Sequence, residues 1–173
     1  MRLLLLGALA VAQTDADDSW RRQIMEALPF SVKAPKNWRA NPESMERLLL
    51  RGEAVEDELA PYIVVERLDG PAEDYVKKHA APKARGDLGL PVEEQKHRLG
   101  RAWRFKKTAS EKYPKGAPDA RTVPIVEEHY VLKAGKRSYL MALAATQADY
   151  RGARKDFERV IESFRVNDRI IDE

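Results

Sequence analysis

Residues 125–166 read IVEEHYVLKAGKRSYLMALAATQADYRGARKDFERVIESFRV, a pattern of two strands, a tight turn and a closing helix. Residues 139–146 are apolar on both faces: Tyr139, Met141, Leu143 and Ala145 point one way, Leu140, Ala142 and Ala144 the other. A strand needs that composition where layers cover both of its sides, so the pattern predicts a central strand. Before it, Gly135 can take the positive φ that a short hairpin loop demands. After it, Ala153, Phe157, Val160, Ile161 and Phe164 recur at the spacing of a helix burying one stripe.

The rest of the pattern supplies further elements. Ser19 would cap a short helix over residues 19–28, with Trp20, Ile24 and Leu28 at four-residue spacing. Residues 30–34 (FSVKA) alternate as a strand with Phe30, Val32 and Ala34 inward; Pro35 ends it and Trp38 follows in a turn as a core lid. Residues 45–51 (MERLLLR) and 62–68 (YIVVERL) predict the next strands, with an acidic connection between them. Residues 70–79 predict a helix, because Pro71 suits its start, Glu73 and Asp74 suit its positive end, and Lys77 and Lys78 suit the other. Ala72, Tyr75, Val76 and His79 share its inner face. Residues 93–99 and 102–108 predict a hairpin turning at Gly100-Arg101, with Trp103 and Phe105 inward. Residues 113–119 (YPKGAPD) read as a proline-rich excursion before a strand at 122–133. Strands outnumber helices, and the expected class is α+β: an antiparallel sheet with helices packed on it.

Composition narrows the reading. The 173 residues are 43% hydrophobic and 34% charged, a folded, well-solvated domain. The formal net charge of +3 is small for a nucleic-acid binder, which also carries its basic residues as one stripe. Without cysteine there is no disulfide, thiol catalysis, cysteine metal site or lipid anchor on an N-terminal cysteine. Arg2, the apolar run over residues 3–11 and the small-residue pattern Ala10-Val11-Ala12 match a secretory signal cleaved before Gln13. The expected organisation is therefore a signal peptide over 1–12, an N-terminal segment over 13–29, one domain over 30–166 and a tail over 167–173. That makes the mature protein exported, periplasmic or secreted, without a stable membrane anchor.

Four features in this order resemble the PsbP-like superfamily: Phe30-Ser31-Val32-Lys33-Ala34-Pro35 with Trp38, a helix after the third strand, a long hairpin, and the closing residues 156–166 (DFERVIESFRV). The group includes extrinsic photosystem proteins, a nuclear Ran-release factor and bacterial exported proteins of the DcrB type. Across residues 30–166 the resemblance implies an α/β/α sandwich and a binding or accessory role without catalysis. The lipid-anchor cysteine of many bacterial members is missing here.

Candidate chemistry is sparse. Glu127 and His129 share one face of a strand, and His97 from a neighbouring strand would be a third metal ligand; a hydrogen-bonded polar set accounts for the same residues. No Gly-x-Ser-x-Gly elbow, P-loop or His-Glu-x-x-His motif occurs, so no catalytic residue, metal or cofactor is assigned. Charge is divided along the chain: residues 53–74 hold eight acids and one base, residues 96–115 eight Lys or Arg and one acid. Arg101, Arg104, Lys106, Lys107 and Tyr113 are thus the expected contacts to an acidic partner, unless the two segments neutralise each other in the fold. The favoured function is an exported, non-catalytic accessory protein that engages a protein or envelope component through its surface. The alternative is a small-ligand carrier or enzyme with a pocket under the sheet.

Overall fold

The strand that is apolar on both faces, Arg137–Thr146, lies fourth of seven in an antiparallel sheet. The computed structural model describes residues 20–23, 28–54, 58–82 and 88–167; the expected signal peptide lies outside them. In chain order the elements are β1 (Trp20–Gln23), β2 (Phe30–Pro35), β3 (Arg39–Ser44), β4 (Arg47–Arg51), β5 (Tyr62–Leu68), α1 (Ala72–Ala80), β6 (Glu93–His97), β7 (Gly100–Tyr113), β8 (Arg121–Ala134), β9 (Arg137–Thr146), α2 (Tyr150–Ser163) and β10 (Arg165–Val166). The large sheet is ordered β3-β4-β5-β9-β8-β7-β6, and strands β1, β2 and β10 form a separate small sheet.

Each face of the large sheet carries its own core. On one side Tyr139, Met141, Leu143 and Ala145 of β9 meet Ala153, Phe157, Val160 and Ile161 of α2 and Phe30, Val32 and Ala34 of β2. Phe30 stacks on Phe164 at 5.8 Å, and Tyr139 meets Phe164 edge-on at 5.0 Å. Ser163 ties α2 to the small sheet, because its Oγ accepts the Lys33 N–H at 2.8 Å and donates to the Val160 carbonyl at 3.0 Å. On the other side the shorter α1 covers Trp103, Phe105, Val131 and Leu140. The result is the expected α+β sandwich, with helices on both faces.

Several elements differ from the sequence reading, each for a local reason. Trp20–Gln23 is a strand paired antiparallel with β2, where the spacing suggested part of a helix over 19–28; pairing with β2 supplies its backbone hydrogen bonds. Residues 24–27, the middle of that expected helix, lie outside the described residues. The edge strand β3 (RANPES) was absent from the reading because it is polar, exposed and carries Pro42, and it breaks register between Pro42 and Ser44. Met45, expected inside a strand, is 70% exposed in the β3–β4 turn. The β6–β7 turn falls at Arg98-Leu99, and Gly100 already pairs with Ala134. A Cβ on Gly100, whose φ is +154°, would stand 2.0 Å from the Lys133 carbonyl oxygen, so this close strand approach requires glycine.

The hairpin of β7 and β8 is longer than expected, with Tyr113 opposite Arg121. Residues 121–124 run past the end of β9, where Thr146 pairs with Ile125, so they have a strand on one side only. Pro124 is tolerated there because its missing N–H faces that open edge.

Candidate docking surface

Alternation along β7 sends Ala102 and Arg104 to the α2 side, and Trp103 and Phe105 to the α1 side. Arg104 is not a surface residue. It is 9% exposed, with Nε 2.5 Å from Glu128 Oε1 and its terminal nitrogens 3.1 and 2.6 Å from the Glu158 carboxylate. Burial opposes its charge, yet the hydrogen bonds to Glu158 and Glu128 hold its pKa above the ordinary arginine value. Tyr150 donates to the other oxygen of Glu128, and burial with that bond raises the tyrosine pKa. Arg154 approaches the same carboxylates at 3.4 and 3.5 Å. This network fastens α2 to β7 and β8 and withdraws Arg104 from the expected patch.

The other expected contacts do not form one surface. Lys106, exposed on the α2 side, stands over the Tyr150 ring at 5.8 Å. Arg101, on the α1 side, bonds Glu94 at 2.9 and 3.1 Å and lies over Trp103. Lys107 reaches Glu127 at 2.7 Å. Tyr113 sits at the far end of β7. Neutralisation of the basic hairpin comes from Glu94, Glu111, Glu127, Glu128 and Glu158. Glu56 and Asp57 of the acidic connection lie outside the described residues.

Glu127 and His129 do share a face, as expected, but His97 does not join them. Its ring meets Tyr130, on the opposite side of β8 from His129. Among the described residues no group of three or more potential ligands could hold a metal ion. The polar set is instead a ladder across the α1 face. The Tyr75 hydroxyl lies 3.1 Å from His129 Nδ1, and His129 Nε2 lies 3.2 Å from Glu127 Oε2. A neutral imidazole protonated at Nε2 satisfies both contacts. The His129 bond, then Lys107, draws the Glu127 pKa down to about 2. Phe105 stacks on His129 at 4.8 Å and His79 on Tyr75 at 4.2 Å. This ladder fixes α1 to the sheet.

Besides a cleft of about 450 Å³ along Tyr150, Arg151, Arg154, Lys155 and Glu158 of α2, openings lie at the two ends of the sheet. At the Tyr113 end, Asn37, Arg39, Arg51, Gly52, Glu53, Leu59 and Ala60 join Tyr113 around a cleft of about 500 Å³. A smaller neighbour of about 250 Å³ continues past Trp38 to Asp149, Gly152 and Asp156 at the start of α2. At the opposite end Arg98, Lys136, Arg137 and Arg165 surround a cleft of about 540 Å³ floored by Leu99, Ala134 and Val166. Sequence reasoning missed both basic sets, since their members are scattered over separate turns and strand ends that only the fold assembles.

No family model matches the chain, and no curated protein is similar to it in sequence. Solved structures are similar in fold. Mog1p, a Ran-binding protein of Saccharomyces cerevisiae, aligns with TM-score 0.50 and 12% identity over 85% of this chain and 95% of its own. LpqN of Mycobacterium tuberculosis aligns with TM-score 0.51 and 11% identity over 87% and 93%. The chain has the PsbP-like fold. A Bacteroides thetaiotaomicron protein aligns at TM-score 0.55 and 12% identity over 86% of this chain, which spans only 48% of that longer one. At these identities the likeness establishes the architecture alone.

Proposed function

We propose that the protein is an exported, non-catalytic accessory module that engages a protein or envelope component through the ends of its sheet. The observation that carries this reading is the placement of space in the molecule. Both faces of the sheet carry filled cores; the clefts at its two ends, and a further one of about 450 Å³ on the outer side of α2, are all lined by charged side chains. A carrier or enzyme of the alternative class needs a concave apolar pocket with converging polar groups. The comparisons lend analogy: Mog1p is described as Ran-binding, and LpqN as involved in cell envelope biogenesis. Export rests on the N-terminal pattern, and no helix of the described residues is long and apolar enough to cross a membrane.

Tyr113, which lines the same cleft as Arg39 and Arg51, is the proposed contact at one end; Lys106 and Lys107 lie midway along β7 and Arg101 at its opposite end, outside this contact. A photo-crosslinking amino acid at position 113, with position 106 as the comparison, tests this in the native host. One discrete crosslinked product at 113 and none at 106 is the expected result. Equal, diffuse crosslinking at both positions would reject a docking role for the Tyr113 end.

A further inference from the structure

The connection between β5 and α1 carries a reactive pair. Asp69-Gly70 is the chain's single Asp-Gly, and no Asn-Gly occurs. Both residues are exposed and lie outside helix and strand, and nothing stands within 4 Å of a Cβ added at Gly70. A glycine leaves its own nitrogen open to the preceding carboxyl, because no side chain screens it. The other aspartates among the described residues, Asp74, Asp119, Asp149 and Asp156, precede Tyr75, Ala120, Tyr150 and Phe157, each with a side chain beside that nitrogen. Asp74 and Asp156 are also held within helices. The joint itself is short and fixed at both ends. Leu68 packs against the α1-side core, and Ala72 is fully buried in it. Only Asp69, Gly70 and Pro71 lie between β5 and α1, and the ring of Pro71 fixes its φ at −59°. The Pro71 carbonyl accepts the N–H groups of Asp74 and Tyr75, which starts α1. Glu73 reaches Lys133 at 2.7 Å and the Tyr75 hydroxyl lies 3.1 Å from His129, so the beginning of α1 carries two polar attachments to the sheet.

We propose that Asp69 is a site of spontaneous isomerisation to isoaspartate, and that the product loosens α1. The Gly70 nitrogen attacks the side-chain carboxyl carbon of Asp69. A C–N bond forms, the nitrogen gives up its proton, and the carboxyl OH leaves with that proton as water. The five-membered succinimide then takes up one water. Opening at the side-chain carbonyl restores aspartate, whereas opening at the main-chain carbonyl gives isoaspartate, in which the chain runs through the former side chain. Composition is unchanged, and water is the only co-reactant. The isomer lengthens the main chain by one C–C bond, about 1.5 Å. With Leu68 and Ala72 both packed, that length is passed to the first turn of α1 and draws Glu73 and Tyr75 from Lys133 and His129. The chemistry is independent of what the protein docks to, so the crosslinking result and this one fail separately.

The test holds the folded chain in mildly acidic buffer made with oxygen-18 water, below its unfolding midpoint, and then digests it with trypsin. The peptide over residues 68–77 contains both Asp69 and Asp74, so the helical aspartate is an internal comparison. The expected result is a second chromatographic peak of the same composition, carrying the heavy oxygen and assigned to isoaspartate at 69 by fragmentation, with Asp74 unaltered. Gly70→Ala, for whose methyl there is room, should slow its appearance severalfold. Asp69→Asn should reach the same isomer faster, with loss of ammonia, and Asp69→Glu, which keeps the charge but needs a six-membered ring, should stay a single species. Absence of the second peak from the folded wild-type chain would overturn the site, as would equal conversion of Asp74 or an unchanged rate in Gly70→Ala. Hydrogen exchange then compares the separated isomer with fresh protein. Amides of Ala72–Ala80 should exchange severalfold faster in the isomer while those of α2 do not change. Unaltered exchange in α1 would overturn the loosening of the helix.

Discussion

Arg104 and Glu128 are bonded on the buried α2 side of neighbouring strands, with Arg104 Nε 2.5 Å from Glu128 Oε1 and side chains only 10% and 2% exposed. A pair so placed is costly to desolvate, and its main energetic signature appears when one member is removed. Arg104→Ala should destabilise the protein by about 3–5 kcal/mol, because Glu128 is left buried with less compensation. Replacing both by leucine should cost much less than the sum of the two single changes. Urea unfolding of the four proteins checks this; additive costs would show that the two side chains do not stabilise each other.

Glu127 gives the fold a dependence on acid. Its pKa is drawn from the ordinary 4.5 down to about 2, first by the His129 bond and then by Lys107. A carboxylate lowered on folding contributes stability above its ordinary value and loses that contribution as pH falls toward the folded value. The wild-type unfolding midpoint should therefore drop between about pH 4.5 and 2 more steeply than that of Glu127→Gln. Parallel profiles for the two proteins would place the acid sensitivity elsewhere.

Phe164 closes the larger core between Phe30 and Tyr139 and is fully buried. Phe164→Ala should cost about 3–5 kcal/mol in chemical denaturation, as for other emptied aromatic sites. A loss below about 1 kcal/mol would mean that the end of α2 does not depend on this packing.

Gly100→Ala should destabilise by at least about 2 kcal/mol, since the added methyl meets backbone, which cannot rotate away. Gly135, with φ of +62° and nothing within 4 Å of an added Cβ, should accept asparagine at little cost. Comparing the two thermal midpoints tests the assignment of the closely packed glycine to Gly100.

How much of this was legible depended on burial. The centre of the sheet announced itself, because β9 is apolar on both faces and only one place in a sandwich accepts that. The stripe of α2 was equally plain. By contrast β3 is a polar edge strand carrying Pro42, and residues 109–113 of β7 are mostly polar with only β8 beside them, so no apolar pattern marks either. Arg104 was misread because alternation assigns a side chain to a face but does not say what covers that face. Only α2, arriving some fifty positions later with Glu158, turns that side of β7 into interior. The basic cleft is invisible in sequence for the same reason, its cations being far apart along the chain.

The position of β9 also governs when the sheet can exist. Among the described residues it is the strand that joins β3-β4-β5 on one side to β8-β7-β6 on the other. A chain that has emerged only as far as residue 136 holds two half-sheets, each ending in an unpaired edge where β9 belongs. Closure requires β5 to pair with one of the last strands made, from Leu68 with Ser138 to Tyr62 with Ala144, a long loop whose ends must meet before any of that burial is gained. Folding of this protein is thus a late, joining event, and the interval before β9 arrives is when its apolar edges are open to a wrong partner.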